Sequence, residues 1–326
     1  MATSYSQPTK PQLMILISCI LVAFSLFSTA APCGKISVYW GQNLYERSLL
    51  EACHSNLYQY VNLAFLVDFG RDVIQPNINL AGHCVPESGD CRRLITEIQA
   101  CQDLGVKVLL SLGGSIGNYG LSSPDDAKLV AAQIYDIFLS GTNVTGPLGP
   151  VALDGVDFDI EGEHPIQYWD DLARALASYR TPQRKVYLAA APQCIRPDQH
   201  LDAAINTGLF DYVWVQFYNN PPCQYDSSSG DISKLIASWN EWSASLPAGT
   251  KLFLGLPAAP NASGSGYIPP DVLTSRILPV IRTSANYRGV MLWSRYYDIQ
   301  CNYSTIIKPS LCDKTLHRQD LLISMV

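Results

Sequence analysis

Short runs of β-branched and aromatic residues recur along the chain, and a polar or glycine-rich turn follows each run. Runs of this length and composition are typical of buried strands. Eight can be recognised, at residues 36–40, 60–65, 107–112, 155–160, 185–190, 212–217, 252–256 and 289–293.

The segments between these runs have the character of helices. Leu94, Ile98 and Cys101 keep helical spacing, and the sequences that start at Pro124 and Pro270 place a proline and then an aspartate at a helix start. Strands that alternate with helices form a parallel sheet, and eight strands are the number that closes a barrel.

An open doubly wound sheet is the alternative architecture. It would require a glycine-rich GxGxxG turn after an early strand, and the first run continues instead as Trp40-Gly-Gln-Asn43. The sequence therefore predicts an α/β fold made of a single (β/α)₈ TIM barrel.

The first 31 residues predict a cleaved signal peptide. Lys10 precedes an apolar run over 13–27, and the small residues 28–31 suit cleavage. The run is shorter than the ~20 residues of a membrane-spanning helix, which is the alternative interpretation. We expect a catalytic barrel over 32–304, a tail without an assigned role over 305–326, and no membrane attachment after cleavage. The expected destination is the cell exterior, with the vacuole as the alternative.

Composition narrows the ligand class. Hydrophobic residues make up 48% of the chain, charged residues 15%, and the formal net charge is −6. A nucleic-acid-binding protein would be expected to present a basic face, so nucleic acid is not an expected partner.

The cysteines and sequons agree with a secretory route. Cys19 lies in the predicted signal peptide, which leaves nine of the ten cysteines, and no CxxC metal pattern is present. Disulfides formed in an oxidising compartment are the favoured interpretation, and the odd number leaves one thiol unpaired or paired between chains. Asn143, Asn261 and Asn302 begin the N-x-S/T triplets and are the candidate glycosylation sites.

The candidate chemistry lies on the fourth predicted strand. Side chains alternate faces along a strand, so Asp157, Asp159 and Glu161 share one face at spacings of ~6.6 Å. Crowded carboxyls titrate together, and at least one should hold a proton near neutral pH, as a general acid must. Glu161 comes last, at the strand end where barrel enzymes place their chemistry. A metal site is the alternative, but His164 has no partner histidine after another strand, so no metal is expected.

Amides and aromatic residues follow the other predicted strands and suit hydrogen bonding to, and stacking on, sugars. They are Gln42, Asn43, Gln193, Tyr218, Asn219, Asn220 and Trp293.

Several segments over 35–303 resemble glycoside hydrolase family 18 and, within it, the plant class III chitinases of the hevamine type. The segment Asp154-Gly-Val-Asp-Phe-Asp-Ile-Glu161 resembles the DxxDxDxE signature of the family. The other matching segments are Tyr39-Trp-Gly-Gln-Asn43, Asn79-Leu-Ala-Gly-His-Cys84, Ala191-Pro-Gln-Cys194, Gln216-Phe-Tyr-Asn-Asn-Pro-Pro-Cys223, Gly255-Leu-Pro-Ala-Ala-Pro260, Gly264-Ser-Gly-Tyr-Ile-Pro-Pro270 and Val290-Met-Leu-Trp-Ser294.

The resemblance implies a secreted endochitinase with a substrate-assisted, retaining mechanism that needs no cofactor. The implied catalytic residues are Glu161 as the acid, Asp159 and Tyr218 at the N-acetyl group, and Asp157 as the support of Asp159. The implied substrate-binding residues are Trp293, Gln42, Asn79, Gln216 and Ser115.

The expected partners are chitin and chito-oligosaccharides, with peptidoglycan as a second candidate substrate. A monomer with a role in plant defence is expected. The alternative is a catalytically weak or inactive relative: a lectin, a storage protein or an inhibitor of glycosidases.

The resemblance also implies three disulfides, Cys53–Cys101, Cys84–Cys91 and Cys194–Cys223. Cys33, Cys301 and Cys312 have no counterpart in the family. A Cys301–Cys312 bridge that leaves Cys33 free is the expected arrangement, although spacing does not decide connectivity.

The chain departs from the family at three loops. Residues 44–48 replace a glycine-rich turn after the first strand, Ser115 replaces a glycine after the third, and Glu163 adds an acid beside Glu161. These changes leave the chemistry in place but bear on subsite preference, and Ser115 is expected to narrow the groove.

Overall fold

Eight parallel strands form a closed barrel in the computed structural model, which describes residues 33–71 and 73–312. The predicted signal peptide, and the predicted tail from residue 313 onward, lie outside the described residues. The strands are β1 Lys35–Trp40, β2 Tyr60–Phe69, β3 Lys107–Gly114, β4 Gly155–Ile160, β5 Tyr187–Ala190, β6 Tyr212–Gln216, β7 Lys251–Pro257 and β8 Tyr287–Trp293.

Strand pairing closes the barrel. Each strand pairs in parallel with its sequence neighbours, and β8 returns to β1, with Val290 opposite Ile36. The prediction of a single (β/α)₈ barrel is confirmed. Two short strands, Asn77–Ile78 and Asn118–Tyr119, pair with the end of β2 outside the ring.

Helices surround the barrel. They are α1 Leu49–His54, α2 Leu94–Asp103, α3 Pro124–Ile134, α4 Trp169–Ala177, α5 Asp202–Ile205, α6 Ser233–Ser245, α7 Pro270–Val272, α8 Leu278–Ile281, α9 Arg295–Cys301 and α10 Tyr303–Ile307. The predicted start at Pro124 is confirmed: the amide of Asp126 donates to Oγ of Ser123 (3.1 Å), which caps the helix. Among the described residues, no helix is long and apolar enough to cross a membrane.

The barrel has two apolar layers. Val156, Phe158 and Ile160 point outward from β4 into the layer between strands and helices, and all three are buried. The inner layer is rich in aromatic rings, among them Tyr60 and Trp214, and it fills the barrel interior. Because the interior is packed, the open end of the barrel is left as the place for a site.

The structure contains the three disulfides that the resemblance implies and corrects the fourth. Cys33 pairs with Cys312, and Cys301 is an exposed free thiol, so the expected Cys301–Cys312 bridge is wrong. The reason is where the chain returns. The amide of Gly34 donates to the carbonyl of Leu311 (3.1 Å), which brings Cys312 beside the start of β1.

Removal of the Cys33–Cys312 bridge should destabilise the fold, because the bridge closes a segment with a sequence separation of 279 residues. We expect Cys33→Ser to lower the free energy of unfolding by about 2–4 kcal/mol. Urea unfolding of the oxidised protein checks this, with Cys301→Ser as the matched control that should change little. A loss in C301S together with none in C33S would contradict the pairing.

Candidate active site

The three acids of β4 point into the barrel mouth. Asp157 and Asp159 are buried, and Glu161, just beyond the end of the strand, is half-buried. Asp154 faces away from them: its carboxylate accepts from the amide of Val108 (2.9 Å) and so holds the strand start. The alternation of side chains along β4 thus places three carboxyls at increasing depth below the barrel mouth.

Asp157 is the deepest acid and is held by three donors from three strands. Its carboxylate accepts from the Tyr39 hydroxyl (2.7 Å), the Ser111 hydroxyl (2.7 Å) and the Trp214 indole nitrogen (2.8 Å). Burial raises the pKa of Asp157 to about 6, and the three hydrogen bonds partly oppose that rise. This carboxyl is fixed in position and closed to substrate.

Asp159 has a raised affinity for a proton. Its burial raises its pKa well above the usual range, and the negative charges of Glu161 and Asp157 raise it further. Nε2 of Gln216 lies 3.0 Å from a carboxylate oxygen of Asp159 and 2.8 Å from one of Glu161, and it also donates to the carbonyl of Ala191. Gln216 therefore holds the two carboxyls next to each other.

A pocket of about 300 Å³ opens above these acids. It is lined by Phe65, Ser115, Asp159, Glu161, Gln193, Gln216, Tyr218, Asn219, Ala262 and Trp293. Burial raises the pKa of Tyr218 well above its usual range, so its hydroxyl stays protonated and can donate. The ring of Trp293 stacks with Phe65 at 6.0 Å between centroids and stands edge-on to Tyr39, which fixes an apolar wall.

Two predicted substrate-binding residues lie outside this pocket. Nε2 of Gln42 donates to the carbonyls of Ala64 (2.8 Å) and Asn79 (3.0 Å), so it ties two loops together. Asn79 is exposed, and its side chain accepts from the amide of Ala81. Both residues border the pocket through Phe65, whose backbone pairs with that of Asn79.

Residues that the sequence reasoning missed complete the site. Phe65 and Ala262 line the pocket, and Ser111 lies directly opposite Asp157 in strand register. Applying the period of two to β1 and β3 as well as β4 would have marked Tyr39 and Ser111 as inward-facing.

Tyr119 is a further residue that the sequence reasoning did not identify. Its hydroxyl donates to the carbonyl of Gly114 (2.6 Å) and accepts from the amide of Glu161 (3.2 Å). The ring is buried and stacks on Phe69 and on His164. Tyr119 therefore fixes the backbone that carries Glu161.

The candidate modification and metal positions lie elsewhere. Asn261 and Asn302 are exposed, whereas Asn143 is half-buried and accepts from the amides of Thr145 and Gly146; their glycosylation stays a prediction. Within residues 33–71 and 73–312, one cluster has the spacing of metal ligands, Cys84–Asp90–Cys91, and its two thiols form a disulfide. The acids of β4 are not part of such a cluster.

The family model described as glycosyl hydrolases family 18 matches residues 35–267. The chain belongs to this family. The resemblance seen in the sequence is therefore confirmed, and the chain is a glycoside hydrolase of family 18.

Three proteins similar to this chain have names that range from chitinase to inhibitor protein. An acidic endochitinase of Nicotiana tabacum is 54% identical over 300 residues, which cover 91% of this chain and 100% of that one. The solved ICChI chitinase of Ipomoea carnea is 49% identical with a TM-score of 0.79, over 85% and 100% of the two chains. A xylanase and α-amylase inhibitor protein of Scadoxus multiflorus is 40% identical with a TM-score of 0.78, over 86% and 99%.

The raised pKa of Asp159 predicts that the stability of the fold depends on pH. Because burial raises the pKa of Asp159, the folded protein keeps a proton that the unfolded chain releases near pH 4. The contribution of this carboxyl to the free energy of unfolding therefore falls as the pH rises from about 4 towards the folded-state pKa. Asp159→Asn cannot titrate. The free energy of unfolding of D159N should therefore rise relative to that of wild type as the pH increases from about 4.

Urea unfolding of both proteins across that pH range measures the difference. Asp271→Asn, at an exposed carboxyl, is the matched control and should show little pH-dependent difference from wild type. A constant gap between D159N and wild type at all pH values would contradict a proton held on Asp159.

Proposed function

We propose that the protein is an endo-acting chitinase that hydrolyses β-1,4-linked N-acetylglucosamine polymers with participation of the substrate's own acetamide. The single observation that carries the proposal is the pair of carboxyls of Asp159 and Glu161, bridged by the side chain of Gln216 under a pocket with an apolar wall and a tyrosine donor. The Nicotiana tabacum relative named as an acidic endochitinase supports the same substrate class.

The reaction uses one proton and no protein nucleophile. Glu161, which reaches the pocket, gives its proton to the glycosidic oxygen as the bond from that oxygen to the anomeric carbon breaks. The acetamide oxygen of the same sugar bonds to the anomeric carbon and gives an oxazolinium ion. The leaving sugar departs with this proton in its new hydroxyl. Water then attacks the anomeric carbon, the bond from that carbon to the acetamide oxygen breaks, and the proton that water loses passes to Glu161.

Asp159 supports these reaction steps by changing its hydrogen-bond partner. In the free site its proton lies towards Glu161, whose negative charge helps to raise the pKa of Asp159. When a sugar enters, Asp159 gives this proton to Glu161, which then acts as the acid, and the Asp159 carboxylate turns to the acetamide N–H, where it stabilises the positive ring. The Tyr218 hydroxyl donates to the acetamide oxygen.

The remaining lining residues bind the sugar. The Trp293 ring packs against the apolar face of the pyranose, and Gln216 keeps both acids in place from the side. Ser115 is exposed at the pocket rim, where it adds a hydroxyl in place of a glycine. Gln42 and Asn79 contact sugars further along the groove.

Secretion, by way of a signal peptide over 1–31, and a defence role complete the proposal, with the vacuole as the alternative destination and peptidoglycan as a second substrate. The protein acts as a monomer without cofactor or membrane attachment. The four disulfides of the described chain suit an oxidising compartment.

A carbohydrate-binding or inhibitory protein without turnover is the second candidate function. The observation that favours it is the likeness to the Scadoxus multiflorus inhibitor protein over 86% of this chain. Prolonged incubation with a chitin oligomer separates the two: intact oligomer together with measurable binding would support the second candidate.

Glu161→Gln tests the role of the acid. The substitution keeps the shape of the side chain and its hydrogen bond to Gln216 but removes the transferable proton, so kcat should fall by at least ~10²–10⁴-fold with oligosaccharide affinity largely kept. Turnover is measured on a soluble N-acetylglucosamine oligomer and binding by calorimetry. Glu163→Gln, at the exposed neighbouring acid, is the control. Near-native hydrolysis by E161Q would mean that another group donates the proton.

A further inference from the structure

The loop after β1 presents an exposed aromatic ring. Tyr45 is 80% exposed, and it is the most exposed of the tyrosine, phenylalanine and tryptophan side chains within residues 33–71 and 73–312. Leu44 beside it is 57% exposed. A ring this exposed gains little stability from burial in its own fold and is free to contact a ligand.

The loop that carries this ring is held in place by a buried carboxylate. Oε1 of Glu46 accepts from the amides of Gly41 (2.7 Å) and Asn43 (3.0 Å), and Nε2 of His83 lies 3.0 Å from the same oxygen. The amide of Tyr45 donates to Oδ1 of Asn43 (2.9 Å). A loop fixed in this way presents its exposed ring with little further loss of backbone entropy on binding.

The loop continues one wall of the active-site pocket. Phe65 lines the pocket, its backbone pairs with Asn79, and Gln42 bridges Asn79 to the start of the loop. The side chain of Leu44 lies over Gly82, where an added Cβ would be 3.6 Å away. Residues 44–46 are therefore connected to the pocket-lining Phe65 through Gln42 and Asn79.

We propose that Tyr45 is a stacking platform for an additional N-acetylglucosamine unit of a long substrate, beyond the sugars held over Glu161. The inference rests on the proposed function and names the part of the groove that selects chain length. A β-linked pyranose presents an apolar face of C–H groups, which packs on an uncharged aromatic ring, and Leu44 extends that apolar contact. The occupant is a further sugar of the same polymer.

Substrate length is the readout that separates this role from a structural one. The values of kcat/KM are measured on a trimer and a hexamer of N-acetylglucosamine for wild type, Tyr45→Ala and Tyr45→Phe. We expect Y45A to lose about three- to tenfold on the hexamer, mainly through KM, and to equal wild type on the trimer. Y45F keeps the ring and should keep wild-type values. Leu129→Ala, at an exposed apolar residue of α3, is the surface control.

Equal losses on trimer and hexamer, or no loss on the hexamer, would overturn the platform. Failure of the proposed function looks different, because wild type would then cleave neither oligomer. In that case calorimetry of the hexamer with wild type and Y45A still decides: weaker binding by Y45A supports the platform, and equal binding overturns it.

Discussion

The structure depends on one electrostatic constraint, which is that three carboxyls share a single strand face at the mouth of a packed barrel. Asp157 is fully buried and Asp159 nearly so, and this burial disfavours the charged forms of both and raises their pKa values. The outcome is a division of roles. Asp157 is fixed by its three donors, Asp159 has a raised pKa, and Glu161 reaches the pocket. A glycosidase that protonates a leaving group near neutral pH needs a carboxyl with a raised pKa.

The rest of the barrel serves this constraint. Tyr39, Ser111 and Trp214 come from β1, β3 and β6, so a shift in the register of any one of these strands would remove one of the three donors to Asp157. At the outer end, Gln216 of β6 donates to the carboxyl of Glu161, and the hydroxyl of Tyr119 accepts from the backbone amide of Glu161. Burial of these acids costs stability, and the aromatic layer of the interior offsets that cost while it closes the barrel below them.

Local patterns predicted the barrel and the series of acids, because strand alternation and helix starts are properties of neighbouring residues. Contacts between distant segments were harder to predict. The donors around Asp157 follow from strand register, and the Cys33–Cys312 pairing follows from where the two ends of the described chain meet. Gln42 was predicted from its place after a strand, but the direction of its amide depends on the loop at Asn79. Its role towards substrate stays a prediction.

The configuration of the first product tests the central claim most directly. If the acetamide of the substrate takes the place of a protein nucleophile above Asp159 and Glu161, two displacements occur at the anomeric carbon and its configuration is retained. Proton NMR of a chitin oligomer, recorded within the first turnovers of the mature protein, should show the β anomer appearing before the α anomer forms by mutarotation. An α anomer as the first product would contradict participation of the acetamide.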